Sequence, residues 1–322
     1  VNTLEPAAAA FAAQAAARPT ARQAGVAAAR RGLEDLQSGP SERPRVDVDS
    51  LEVDDGEARV TLRIVRPPDT ASRSLPVVLY LHGGGWILGS ASTHDRLVRE
   101  LSVRTDAAVA FVEYDRSPEV RYPVALDQGY AAARWICERG ADVGLDGSRM
   151  AVAGDSAGGN LAAALAIRAQ RDRAVTFVHQ ALYYPVTDAG QDTASYREFA
   201  NGPHLTADTM AWFWDAYLPD LESRNDSTAS PLRADAEELR GLPDTSVVVA
   251  ECDVLRDEGE AYARRLVAAG VRCSSVRCNA TIHDFLMLDA LRDTAATRAG
   301  IAHAIHELRS ALHGPAPSRR VA

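Results

Sequence analysis

The chain contains no lysine. That absence excludes a Schiff-base lysine, an anchor for pyridoxal phosphate and a Ser–Lys dyad. It also removes the lysine that a phosphate-binding P-loop needs. All 35 basic residues are therefore arginine, a usage that a GC-rich genome accounts for without an arginine-built binding surface. Acids outnumber them, and the formal net charge of -9 argues against nucleic acid as a partner. Cysteine is scarce: Cys137, Cys252, Cys273 and Cys278, with no C-x-x-C pair. Cys137 in an apolar helix and Cys252 at a strand end read as small core residues. A Cys273–Cys278 bridge is disfavoured, because an extended strand holds the two apart. This usage fits a reducing compartment, so a cytoplasmic location is expected. No run of 18 apolar residues exists to span a membrane. The alanine-rich stretch from Val1 to Ala17 lacks a basic start and a leucine core, and it reads as a helix rather than a secretory signal.

What is present is ordinary globular composition, 46% hydrophobic and 25% charged over 322 residues, enough for one large core or a core with a lid. Strand-like runs fall near residues 47–54, 58–66, 77–81, 108–114, 149–153, 179–184, 246–251 and 274–280. The first two suit an antiparallel edge pair. From the third onward strands alternate with helical segments, which predicts a mostly parallel α/β sheet with helices on both faces. Between the sixth and seventh strands lies a long insertion, 186–244. In it Thr206 caps a predicted aromatic-rich helix that stops at Pro219. The expected division is an N-terminal helical cap segment (1–45), a core in two parts (46–185 and 245–314), a cap or lid insertion (186–244) and a disordered tail (315–322).

Two motifs carry chemistry. Gly154-Asp155-Ser156-Ala157-Gly158 matches G-x-S-x-G, with a short apolar run before it and strong helix formers after it. A strand entering a helix through a tight turn lifts the Ser156 side chain clear of the sheet. Some seventy residues earlier, His82-Gly83-Gly84-Gly85-Trp86 follows another buried strand. Backbone N–H groups of Gly84 and Gly85 there, with that of Ala157 after the serine, suit an oxyanion hole. Gly83 suits the turn more than donation.

Taken together, His82-Gly83-Gly84-Gly85 and Gly154 through Asn160 resemble the hormone-sensitive-lipase-like carboxylesterases, closest to the bacterial subgroup with Asp before the serine. The resemblance spans roughly residues 45–312. It implies an α/β-hydrolase fold with an eight-stranded sheet and a helical cap, and no cofactor or metal. It implies an acid at Asp253, in Asp253-Val254-Leu255-Arg256-Asp257-Glu258, and a histidine at His283. Asp284 stands where the family more often has Gly, and Tyr114-Asp115-Arg116-Ser117 departs from the family's usual Tyr-Arg-Leu-Ala.

The residues read on their own reach similar positions. His283 ends a strand-like run, where the histidine of a Ser–acid–His order belongs. His303, His306 and His313 fall off the apolar stripe Ile301, Ile305, Leu308 and Leu312, on a solvated helix face. No carboxylate or thiol partner makes a metal site of His303 and His306. Asp253 sits on the loop after a β-branched strand. Asp257 and Glu251 remain alternatives, Asp257 suiting a helix start.

The expected chemistry is acyl transfer to water, with Ser156 as nucleophile, His283 as base and Asp253 orienting it. An ordinary histidine base places the rise of activity near pH 6–7. A small-molecule ester with a short acyl chain is the expected partner, in a pocket near Trp86, Trp212 and Phe213. Neither nucleic acid nor membrane is expected; a homodimer stays open. The same residues suit an amide deacetylase or formamidase, or an acyltransferase in a dry site. A non-catalytic ligand-binding protein on this fold would lack a triad member, and here all three candidates are present.

Overall fold

A computed structural model describes residues 3–314. Eight strands form one sheet: β1 (Asp47–Asp54), β2 (Arg59–Arg66), β3 (Leu75–Leu81), β4 (Ala108–Glu113), β5 (Leu145–Asp155), β6 (His179–Tyr183), β7 (Thr245–Cys252) and β8 (Cys273–Ile282). Their spatial order is β1-β2-β4-β3-β5-β6-β7-β8. β1 and β2 form an antiparallel pair at one edge, with β1 outermost, and β2 is also antiparallel to β4. Every pairing from β3 onward is parallel. β3 is buried along its whole length, as strands covered on both faces must be.

Three helices precede the sheet: α1 (Pro6–Ala16), α2 (Ala21–Ala24) and α3 (Val26–Gln37). α4 (Asp95–Thr105) follows β3, α5 (Val124–Arg139) follows β4 and α6 (Ala157–Asp172) follows β5. The connection from β6 to β7 holds α7 (Ala194–Glu198), α8 (Ala207–Tyr217) and α9 (Ala236–Leu239). α10 (Arg256–Ala268) joins β7 to β8, and α11 (Ala295–His313) closes the described chain. α5 and α6 pack together over the sheet, while α4 and α11 pack against each other. α11 buries the stripe Ile301, Ile305, Leu308 and Leu312. Among the described residues, no helix is long and apolar enough to cross a membrane.

One expectation needs amendment. Cys137 is exposed, not core, because the buried stripe of α5 runs through Ala133 and Ile136 and turns away at the next residue. The insertion helix is α8, with Thr206 accepting from the Thr209 N–H as its cap, and it ends at Tyr217 with Leu218 as its C-cap, directly before Pro219. The tail expected to be disordered lies outside the described residues.

Candidate active site

β5 runs straight into α6, and the single residue between them is Ser156. Its φ of 53° lies in the left-handed region, where a non-glycine residue costs on the order of 1–3 kcal/mol. The surrounding contacts hold it there: its N–H donates to Tyr183 O at 2.8 Å, and its carbonyl accepts from Asn160 at 3.0 Å and Val186 at 3.2 Å. The turn is too tight for side chains on its flanks. A Cβ on Gly158 would run into the Leu81 carbonyl, and one on Gly154 into the backbone of Gly158.

Asp253 follows β7 and His283 follows β8, so the carboxyl ends of β5, β7 and β8, parallel strands with β6 between the first two, bring the groups together. His283 Nδ1 lies 2.7 Å from Asp253 Oδ2, and Nε2 lies 2.9 Å from Ser156 Oγ. With the ring proton on Nδ1, the imidazole donates to the carboxylate and accepts from the hydroxyl. Asp253 is 1% exposed and His283 2%. Asp253 Oδ1 also accepts from the Leu255 N–H at 3.0 Å, which fixes the carboxylate's rotation.

The two alternative acids point elsewhere. Asp257 accepts from the Ser195 N–H at 2.7 Å and pairs with Arg256. Glu251 accepts from the Ala280 N–H at 2.7 Å. Neither has a contact with His283 among the described residues. On α11, His303 meets Ser274 and Glu307, and His313 meets the Thr105 carbonyl at 2.8 Å; neither has a contact with Ser156 among the described residues.

Burial alone would lower the pKa of the His283 imidazole. The carboxylates of Asp253 and Asp284 outweigh burial and raise it to about 9. Asp284 reaches His283 Nε2 at 3.3 Å through Oδ1, and Oδ2 meets His204 Nε2 at 3.3 Å.

The glycine loop after β3 faces the elbow. Gly83 uses its N–H on Asp155 Oδ1 at 3.1 Å. Gly84 and Gly85 donate to no acceptor among the described residues, and Ala157 opens α6, where first-turn N–H groups lack intrahelical acceptors. A Cβ on Gly85 would strike the Phe213 ring, so only glycine lets α8 close on this loop.

Asp155 is fully buried and is held by three groups. Besides Gly83 it accepts from the Tyr80 hydroxyl at 2.6 Å and meets His94 Nε2 at 3.2 Å. Sequence reasoning gave Asp155 no role beyond its place in the motif. It also missed His204, whose partner Asp284 is distant in sequence. The signal for Asp284 was the missing glycine after His283.

A cavity of about 560 Å³ opens onto Ser156 and His283. α1, α2 and α3 line one side, and residues 201–213 line the other. Of the three aromatic residues expected there, Phe213 lines the cavity. Trp86 and Trp212 do not. Trp86 is 1% exposed and stacks flat on Tyr217 at 4.2 Å, with Trp214 at 4.8 Å. Trp212 is turned about 100° from Phe213 on α8, and its ring lies tilted against that of Phe213 at 5.3 Å.

A family model described as alpha/beta hydrolase fold matches residues 78–287, which include Ser156, Asp253 and His283. The chain belongs to the α/β-hydrolase family, in its hormone-sensitive-lipase-like branch. Carboxylesterase NlhH of Mycobacterium tuberculosis is 38% identical to this α/β-hydrolase over 294 residues, 90% of each chain. An ethyl acetate hydrolase of Pseudomonas putida is 36% identical over 274 residues, 83% of this chain and 85% of that relative. The crystal structure of a thermostable esterase, also from Pseudomonas putida, superposes with a TM-score of 0.94 at 42% identity. It covers 96% of this chain and 98% of that one.

Proposed function

We propose that this α/β-hydrolase cleaves small, short-chain carboxylic esters through a covalent acyl-enzyme on Ser156. The observation that carries the mechanism is the single imidazole of His283, placed 2.9 Å from Ser156 Oγ and 2.7 Å from Asp253. Ester hydrolysis as such also has the support of relatives named carboxylesterase and esterase.

His283 Nε2 takes the hydroxyl proton as Ser156 Oγ bonds to the ester carbonyl carbon. Asp253 holds the ring proton on Nδ1 and stabilises the imidazolium. The carbonyl oxygen becomes an oxyanion, which the N–H groups of Gly84, Gly85 and Ala157 receive. The alcohol leaves with the proton from His283. Water then attacks the acyl carbon while His283 accepts its proton, and His283 returns that proton to Ser156 Oγ as the acyl–Oγ bond breaks and the acid is released. These groups supply every proton transfer, so the reaction requires neither cofactor nor metal.

The cap is part of this reading: the described residues of segment 1–45, with 186–244, cover the core formed by 46–185 and 245–314. Several contacts support it. Arg22 of α2 pairs with Asp208 of α8 across the cavity. Gln37 donates to Thr93 O at 2.9 Å and Met287 O at 2.8 Å. Phe213 limits the room for an acyl chain, and one relative carries the name ethyl acetate hydrolase. Four free cysteines support a reducing, cytoplasmic setting.

The test is kcat/KM on p-nitrophenyl acetate beside an acetyl anilide, in wild type and Ser156→Ala. The expected results are a clear preference for the ester and a loss of kcat on the order of 10⁴ or more in the variant. Faster turnover of the anilide would make the chain an amidase. A tenth of wild-type activity in Ser156→Ala would overturn the acyl-enzyme.

A further inference from the structure

We propose that Asp284, paired with His204, makes the substrate cavity charge-selective, so that esters with a cationic group near the scissile bond are favoured and those with an anionic group there are turned away. The substrate's being an ester rests on the function proposed above; the charge preference of the cavity does not.

Asp284 is the only acid that lines this cavity among the described residues. The one arginine there, Arg18, is exposed at the N-terminal rim. Much of the remaining wall is apolar, including Phe11, Leu33, Leu36 and Leu88. A carboxylate on such a wall acts through little intervening water, so its charge counts for more than at a surface.

The geometry aims that charge at the reacting atoms. The contacts from Asp284 Oδ1 (3.3 Å) and from Ser156 Oγ (2.9 Å) share His283 Nε2, so the carboxylate lies within roughly 6 Å of the nucleophile. Each carboxylate oxygen has one partner, His283 or His204, while an ionised carboxylate accepts about four hydrogen bonds in all. Acceptor capacity is therefore left over on the cavity side. Burial would push the Asp284 carboxyl up, but His283, His204 and His94 hold it down at about 2, so it is ionised at assay pH. When His283 is an imidazolium, Asp253 at 2.7 Å balances it, so with His204 neutral the charge of Asp284 remains in excess. At about 6 Å and an effective dielectric of about 20, one charge acting on another changes binding by about a hundredfold.

The measurement compares acetylcholine with 3,3-dimethylbutyl acetate, which has the same shape without the charge. In wild type kcat/KM should favour the cation at least about tenfold, equal to about 1.4 kcal/mol. 4-Acetoxybenzoate should react at least about tenfold more slowly than its neutral methyl ester. In Asp284→Asn both ratios should fall towards one. Asn keeps the size of Asp and tolerates the left-handed backbone at this position, where φ is 64°. Wild-type ratios within twofold, or ratios unchanged in Asp284→Asn, would overturn the inference. Calorimetric titration of Ser156→Ala with the first two esters reads the same preference without turnover. A preference retained there, in a variant that still hydrolyses, would reject the acyl-enzyme and keep the charge-selective cavity. Loss of the preference in an inactive variant would do the reverse.

Discussion

Gly83 gives its N–H to Asp155, the residue just before the nucleophile, at 3.1 Å. The loop proposed to receive the oxyanion and the elbow carrying Ser156 are thus joined by one buried carboxylate, which Tyr80 also grips at 2.6 Å. Breaking this junction should displace the donors from the serine without touching either. Asp155→Ala should lower kcat by about ten- to a hundredfold, and it should cost about 1.5–3 kcal/mol of stability, the range for a charge-assisted hydrogen bond. Thermal unfolding and steady-state kinetics on the same preparation check both. Wild-type kcat would show that the loop holds its shape unaided.

Asp253 and Asp257 lie four residues apart, yet only Asp253 meets the imidazole. Asp253→Asn should cut kcat by roughly 10³–10⁴, because an amide favours the wrong ring tautomer. Asp257→Asn should leave kcat within a few-fold and weaken the Ser195 contact instead. If the two variants rank the other way in kcat, the acid has been misassigned.

The pH profile should lie higher than an ordinary histidine would place it. A base works only when neutral, and His283 is held up at about 9 by Asp253 and Asp284 against its burial. kcat/KM should therefore keep rising above pH 7, about tenfold per unit, and level off near that value. Asp284→Asn removes one of the two carboxylates and should move the midpoint down. An apparent pKa at or below 6.5 in wild type, with chemistry limiting, would contradict the effect of these charges.

Chain-length selectivity should turn on Phe213 and not on its neighbour. Each methylene that fits contributes about 0.8 kcal/mol, so rates should climb with acyl length until the chain meets a wall. The optimum should fall at about two to six carbons, as the family resemblance implies. Phe213→Ala should move the optimum to longer chains; Trp212→Ala, off the cavity, should not. The profile from acetyl to dodecanoyl p-nitrophenyl esters decides this. An optimum beyond ten carbons in wild type would reject the short-chain reading, and no shift in Phe213→Ala would reject that ring as the wall.

Local chemistry made much of this protein legible before any coordinates. G-x-S-x-G between an apolar run and a helix-forming run specifies an elbow, because only small residues allow that turn. The alternation of buried strands with helical stretches specifies a parallel sheet, because both faces must be covered. Thr206 marked its helix start for the same local reason: a side-chain oxygen answers an orphan N–H three residues on.

Other features depend on which residues distant in sequence end up adjacent, and periodicity carries no such information. Asp253 and Asp257 follow β7 and Glu251 lies near its end, and only the placement of β8 beside it put His283 against Asp253. Trp86 and Trp212 looked like pocket walls by composition, but a ring's surroundings are set by helix phase and by the partner it finds, here Tyr217 for Trp86 and Phe213 for Trp212. The tie between Asp155 and Gly83 and the pairing of Asp284 with His204 join segments more than seventy residues apart. They exist because the loops at the carboxyl ends of β3, β5, β6 and β8 converge on one place, and that convergence belongs to the packed sheet rather than to any stretch of sequence.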